Sequence, residues 1–406
     1  MKVLAVNKYY YVKGGAERYY FELARILEGH GDEVVPFAMR DELNEETPYE
    51  RYFVSHEAFD GSAGFADRLR AAARVIYSVE ARRRIEQIVN ATAPDVAHLH
   101  NIAHQLSPSI LYGLRARGVP VVQTLHDYKL VCPNYQMFVR GATCERCATW
   151  RYYNAVLTKC MRGSLTASAL VAAEAYVHRM LRTYDENVDV FIAPSAQLRD
   201  RMIAHGIDGG KIVHLPYSIS LEGYSPNFAH EGYAAYVGRL SGGKGLRTLL
   251  RAHGMAPSVV LKIIGTGPLE GELRESVARE GVGNVEFVGH MSGRQLADLV
   301  AGALFVVVPS ECFENSPLTV YEAFARGKAV VGSRIGGIPE LVSEGETGLI
   351  FGPGRDEELA ECMAALWDDP ARAIEMGRSA RQRVEREYGP EPHYERIKEI
   401  YKRAMC

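Results

Sequence analysis

The chain has 406 residues, 47% of them hydrophobic and 24% charged, so it can bury a large interior and is too long for one ordinary core. Its formal net charge of -3 excludes the basic excess that nucleic-acid binding leaves in a sequence, so no nucleic-acid partner is expected. No apolar run approaches the roughly 18 residues that a membrane-spanning helix needs.

In chain order, Met1-Lys2-Val3-Leu4-Ala5-Val6 is too short an apolar stretch for an export signal and reads as a first strand, which predicts a cytoplasmic protein. Gly14-Gly15-Ala16-Glu17 then forms a strand-to-helix turn that calls for glycine, and the next segment places Tyr20, Leu23, Ala24 and Leu27 on one helical face. Further strands are expected at Glu33–Ala38, Asp95–His100, Val119–Leu125 and Val188–Ala193. Phe65–Val89 is read as helical, with Arg68, Arg70, Arg74, Arg82, Arg83 and Arg84 along it. Two readings stand: a solvated basic face, or contact with anionic lipid or a phosphorylated acceptor, which would make the protein peripheral on the inner face of a membrane.

A second series of strands is expected at Tyr233–Val237, Val259–Ile264, Val285–Val288, Leu304–Val308 and Ala329–Gly332, again with helical patterns between. Two such series predict an α/β chain of two Rossmann-like, doubly wound domains, 1–213 and 214–387, with a final helix at 388–406 crossing back to the first.

Cys132, Cys144, Cys147 and Cys160 fall in one short segment with the spacing C-x11-C-x2-C-x12-C. The close Cys144/Cys147 pair suits a tetrahedral thiolate site, so a structural zinc is one reading. Free thiols, or a disulfide under oxidation, are the others.

The most informative segment is Pro309-Ser310-Glu311-Cys312-Phe313-Glu314-Asn315-Ser316-Pro317-Leu318-Thr319-Val320-Tyr321-Glu322. A strand ending at Val308 delivers it to the carboxyl edge of a sheet, where ligands of open α/β folds bind. Ser316 suits an N-cap and Pro317 a first helical position, so a helix is expected to start there. The amides of Leu318 and Thr319 would then face a diphosphate. Glu322, on the same helical face, suits a ribose diol because a carboxylate accepts from hydroxyls and is repelled by oxyanions. Glu314 suits hydroxyls of a transferred sugar.

Glu314 and Glu322, with their flanking residues, resemble the E-x7-E motif of the retaining GT-B glycosyltransferases of family 4. Val237-Gly238-Arg239-Leu240-Ser241-Gly242-Gly243-Lys244-Gly245 is similar to that family's G-R-L-x-x-x-K-G segment, in which arginine and lysine hold the donor diphosphate. Gly265 and Gly267 form a tight turn of the kind that frames a nucleobase, and His290 and Met291 occupy the strand end that contacts the base in similar enzymes. Gly336-Gly337-Ile338-Pro339-Glu340 resembles the family's last glycine turn. In the first half, His126 resembles an active-site histidine that bonds a sugar hydroxyl, with an ordinary structural histidine as the other reading. Gly14 and Gly15 match a loop that faces donor phosphate and acceptor; His98, His100 and Asn101 are read as pocket lining or as structural.

The resemblance implies two facing domains with the reaction in an interdomain cleft, a UDP- or GDP-sugar donor and a saccharide, lipid-linked or small-molecule acceptor. It also implies retention of configuration, His126, Glu314, Arg239 and Lys244 as the catalytic set, and no cofactor at the active site. A sugar-nucleotide 2-epimerase and a catalytically silent sugar-nucleotide-binding protein are the competing readings.

Overall fold

Val3, Leu4, Val6, Val35 and Phe37 are completely buried, as are Val96, Val122 and Phe191. Apolar runs buried on both faces are the mark of parallel strands covered by helices. A computed structural model describes residues 1–56, 72–281 and 283–406. It divides the chain into two compact units, one of 1–137, 144–218 and 391–406, the other of 138–143 and 219–390.

In the first unit, β1 (Lys2–Val6), β2 (Glu33–Phe37), β3 (Val96–Leu99) and β4 (Val121–Thr124) share a sheet with β7 (Val190–Ala193) and β8 (Ile212–His214). The short strands β5 (Phe138–Val139) and β6 (Ala142–Thr143) form a separate antiparallel hairpin, grouped with the second unit. The sheet order is β2-β1-β3-β4-β7-β8, and every pairing is parallel. The second unit holds β9 (Ala234–Val237), β10 (Leu261–Ile264), β11 (Val285–Gly289), β12 (Phe305–Val308), β13 (Ala329–Ser333) and β14 (Gly348–Phe351), ordered β11-β10-β9-β12-β13-β14 and also parallel. Each sheet therefore has a strand from which the winding reverses, β1 in the first and β9 in the second. Crevices for ligands open beside such strands at their carboxyl ends.

The sequence reading ended the first domain at 213; the contacts end it at 218. The cause is β8, which pairs with β7 through Phe191↔Ile212 and Ala193↔His214 and so belongs to the first sheet. The helix Pro390–Met405 packs its Ile397, Ile400 and Tyr401 into the first unit. There the Tyr401 hydroxyl meets His98 Nδ1 at 2.8 Å, while Thr124 Oγ1 meets His98 Nε2 at 2.7 Å. Tyr19 Oη similarly meets His393 Nε2 at 2.9 Å.

Burial, reinforced by neighbouring charges, lowers His98, His126 and His393 to about 3, far below the ordinary value of 6.5. The unfolded chain takes up these protons near pH 6.5 and the folded chain does not, so stability present above pH 6.5 is lost as pH falls towards 3. The melting midpoint should fall steadily between about pH 6.5 and 4.5, each histidine contributing at most about 1.4 kcal/mol per pH unit. His393→Gln should flatten that slope in melts followed by circular dichroism; an identical slope would show that His393 titrates alike in both states.

Candidate active site

Three loops of the second unit meet at the carboxyl edge of its sheet: 238–245 after β9, 309–317 after β12 and 334–337 after β13. The carbonyl of Gly243 accepts from the amides of Glu311 (2.7 Å) and Cys312 (3.1 Å), tying the first loop to the second. The amide of Gly337 donates to the carbonyl of Glu314 (2.7 Å) and Ser333 Oγ, at the end of β13, to the carbonyl of Ser310 (2.6 Å), tying the third to the second. Glycine is required at two of these contacts. Gly245 has φ 70°, and a Cβ there would lie 1.6 Å from the carbonyl oxygen of Pro309; Gly336 has φ 60°, with Glu314 O at 2.1 Å.

At the centre, Lys244 Nζ pairs with Glu314 Oε1, which also accepts from Ser310 Oγ at 2.8 Å. Burial alone would push the ammonium down and the carboxyl up. Their attraction outweighs burial in both, holding Lys244 above and Glu314 below the ordinary values. Arg239 is exposed on the same loop, and no described carboxylate pairs with it. The turn after β10 presses Gly265 against the backbone of Gly238 and Gly267 against that of Leu240, so it joins this edge. His290, at the end of β11, is exposed; Met291 packs on the cluster of Tyr233, Ala235, Ile264 and Ala303.

The helix expected from Ser316 starts later, at Leu318, with Pro317 in the cap position and no side-chain cap. Ser316 is no N-cap because its hydroxyl is buried and engaged with Tyr321 Oη at 2.7 Å. Leu318 and Thr319 occupy the first turn, where amides have no intrahelical acceptor. Glu322 lies half-buried on the same helix. Asn315 was missed by the sequence reading: it is 9% exposed, and neither polar atom of its amide has a partner among the described residues.

In the first unit a cavity of about 250 Å3 opens beyond β1, β3 and β4, with Lys8, His100, Asn101, His126 and Asp127 in its wall. Both ring nitrogens of His126 are taken, Nδ1 by Tyr217 Oη (2.6 Å) and Nε2 by His100 Nδ1 (2.9 Å). Its ring must exchange one partner to bond a sugar hydroxyl. His98, by contrast, faces Tyr401 and Thr124 and is structural. Gly14 precedes the helix Gly15–Gly29 with an extended φ of -165°, and a Cβ there would meet only Glu17 Oε2, at 3.6 Å. The turn itself therefore does not call for glycine at 14, contrary to the sequence reading.

All seven cysteines are free. Cys132, Cys144, Cys147 and Cys160 are neighbours: burial first, then the other three thiols, push Cys147 up to about 12. Cys132 Sγ donates to Asn134 Oδ1 at 2.9 Å, and among the described residues no three His, Cys, Asp or Glu side chains are placed to hold one metal ion. Of the arginine stretch, Arg68 and Arg70 lie outside the described residues. Arg82 is engaged by Glu86 (3.0 Å) and Tyr77 (2.6 Å), and Arg84 by the carbonyl of Arg51 (3.1 Å). No helix among the described residues is long and apolar enough to cross a membrane.

Two doubly wound parallel sheets, with charged and polar groups beside the reversing strand of each, make an α/β chain of two Rossmann-like units. Residues 13–222 match Glycosyltransferase Family 4 and residues 225–383 match Glycosyl transferases group 1. The chain belongs to glycosyltransferase family 4. A glycogen synthase of Mycobacterium tuberculosis is 30% identical over 298 residues, 72% of this chain and 64% of that protein, so the chain spans less than two thirds of this relative's length. Sucrose-phosphate synthase from Thermosynechococcus elongatus has the same fold, with a TM-score of 0.72 at 21% identity over 99% of this chain and 98% of that one. Anabaena HepE, solved in complex with UDP-glucose, gives a TM-score of 0.69 at 17% identity over 99% of both chains.

Gly245→Ala should displace the Lys244 loop and destabilise the protein by at least about 2 kcal/mol in urea denaturation. A variant as stable as the parent would show that the loop is not wedged against Pro309.

Proposed function

We propose that the protein is a retaining transferase that moves a sugar from a UDP- or GDP-sugar to a hydroxyl acceptor in polysaccharide, cell-envelope or glycolipid assembly. The observation that carries this reading is the half-buried Lys244–Glu314 pair beside the reversing strand β9, with Arg239 on the same loop. When the glycosidic bond breaks, negative charge grows on the departing phosphate. Lys244, Arg239 and the first-turn amides of Leu318 and Thr319 stabilise it there, where preorganised charges act most strongly. Glu322 takes the ribose diol and Glu314 the hydroxyls of the transferred sugar.

Glu314 is already tied on one oxygen by Lys244 and Ser310, which suits a hydrogen-bond acceptor better than a covalent nucleophile. Retention then follows from attack on the face the phosphate leaves, with that phosphate taking the acceptor proton. This reading assigns charge neutralisation to Lys244 and Arg239 rather than to a divalent ion. The UDP-glucose held by Anabaena HepE supports a uridine nucleotide; thermal shift with UDP, GDP and their sugars decides the base.

Glu314→Ala should lower sugar transfer by on the order of 100-fold while changing nucleotide affinity only a few-fold. Lys244→Ala should weaken both. Transfer by Glu314→Ala at the parent rate, measured by release of nucleoside diphosphate, would remove Glu314 from the reaction.

A further inference from the structure

The cavity of the first unit carries more positive charge than the fold uses. Its wall includes three cations, Lys8, Lys129 and Arg162, and one carboxylate, Asp127. Lys129 is engaged, its Nζ pairing with Glu174 Oε2 at 2.7 Å and donating to the carbonyl of Pro133 at 3.4 Å. Neither Lys8 nor Arg162 has an ion-pair partner among the described residues. Asp127 is a weak counter-charge, because burial pushes its carboxyl up and the Lys129 amide, Lys8 and Lys129 reverse this only in part.

All three cations act on one residue of the wall. His104, also in the wall, is lowered to about 3 first by burial and then by Lys129, Lys8 and Arg162 together. His100 and His126 are likewise neutral, held so chiefly by burial. The wall also presents Gln123, which is 6% exposed and whose Oε1 has no partner among the described residues. A buried acceptor without a donor among the described residues, sharing one cavity wall with half-buried Lys8 and exposed Arg162, suits a ligand that brings both negative charge and hydroxyl groups.

We propose that this cavity binds a phosphorylated acceptor, Lys8 and Arg162 holding the phosphate oxygens and Gln123 accepting from a hydroxyl of the group that carries it. A phosphomonoester brings close to two negative charges and three strong acceptor oxygens, which matches two cations without an ion-pair partner among the described residues better than a carboxylate does. The volume, about 250 Å3, suits one sugar-sized group rather than a long chain. Calling this ligand the acceptor rests on the transferase reading; binding of the anion does not.

The test is calorimetry on the whole chain with inorganic phosphate, glucose 1-phosphate and glucose, and with neutral phosphatidylcholine vesicles with and without a polyprenyl phosphate. UDP is titrated in parallel. Glucose 1-phosphate should bind at least about tenfold more tightly than glucose, and more weakly as salt is raised. Lys8→Gln and Arg162→Gln should each weaken it about tenfold, Lys8→Arg should retain it, and UDP affinity should be unchanged in all three. If only the polyprenyl phosphate vesicles bind, and the same variants abolish this, the phosphate is lipid-borne and the proposal stands.

Equal affinity for glucose and its phosphate, binding to neither phosphate source, or parent-like binding by both glutamine variants would overturn it. So would displacement of phosphate by UDP together with its loss in Lys244→Ala, which would place the anion in the donor site. Failure of UDP to bind while phosphate binding persists would instead count against the donor reading alone.

Discussion

In a sheet whose strands all run one way, every strand must deliver its chain to the same edge, and the loops at that edge are the segments left free of the ladder. Where the winding reverses, two such loops come together with no crossover helix between them. In the second unit this happens beside β9 and β12, and it brings together Lys244 and Glu314, which are 70 residues apart. Gly245 and Gly336 let the backbone approach closely enough for the two side chains to meet. The first unit repeats the arrangement beside β1 and β3, where Lys8 and His100 enter the wall of one cavity.

The ion pair changes what each partner can do. Alone in this environment, burial would favour neutral lysine and neutral glutamic acid; together both stay charged. In the proposed reaction an arriving diphosphate competes with Glu314 for Lys244. The more the lysine turns to phosphate, the more the carboxylate is released to accept from the sugar's hydroxyls. Recognition of the leaving group and grip on the transferred sugar are thus coupled through one hydrogen-bonded contact.

Much of this was legible in the sequence because it is local. The apolar runs at Val3–Val6 and Phe305–Val308 announce buried strands, and the loops that follow carry their glycines and charges at short spacing. The strands β8 and β14 escaped the reading, the first being only three residues long and the second opening on a glycine. Ser316 looks like a cap in sequence, but its hydroxyl is claimed by Tyr321, a partner that helix spacing does not reveal. Gln123 and Lys8 belong to no motif; their significance lies in what surrounds them. His98 finds its partner 303 residues away in the last helix, a distance over which no local pattern operates. The four clustered cysteines were legible for the same local reason: their spacing brings the thiols near one another.

The central claim is that Lys244 recognises the second phosphate of a nucleotide. The most direct measurement is the affinity of the parent and of Lys244→Ala for UDP and for UMP, or for the guanine pair if that base is selected. The parent should prefer the diphosphate by on the order of tenfold or more, and the variant should lose most of that preference while binding the monophosphate nearly as before. An undiminished preference for diphosphate in Lys244→Ala would contradict the account.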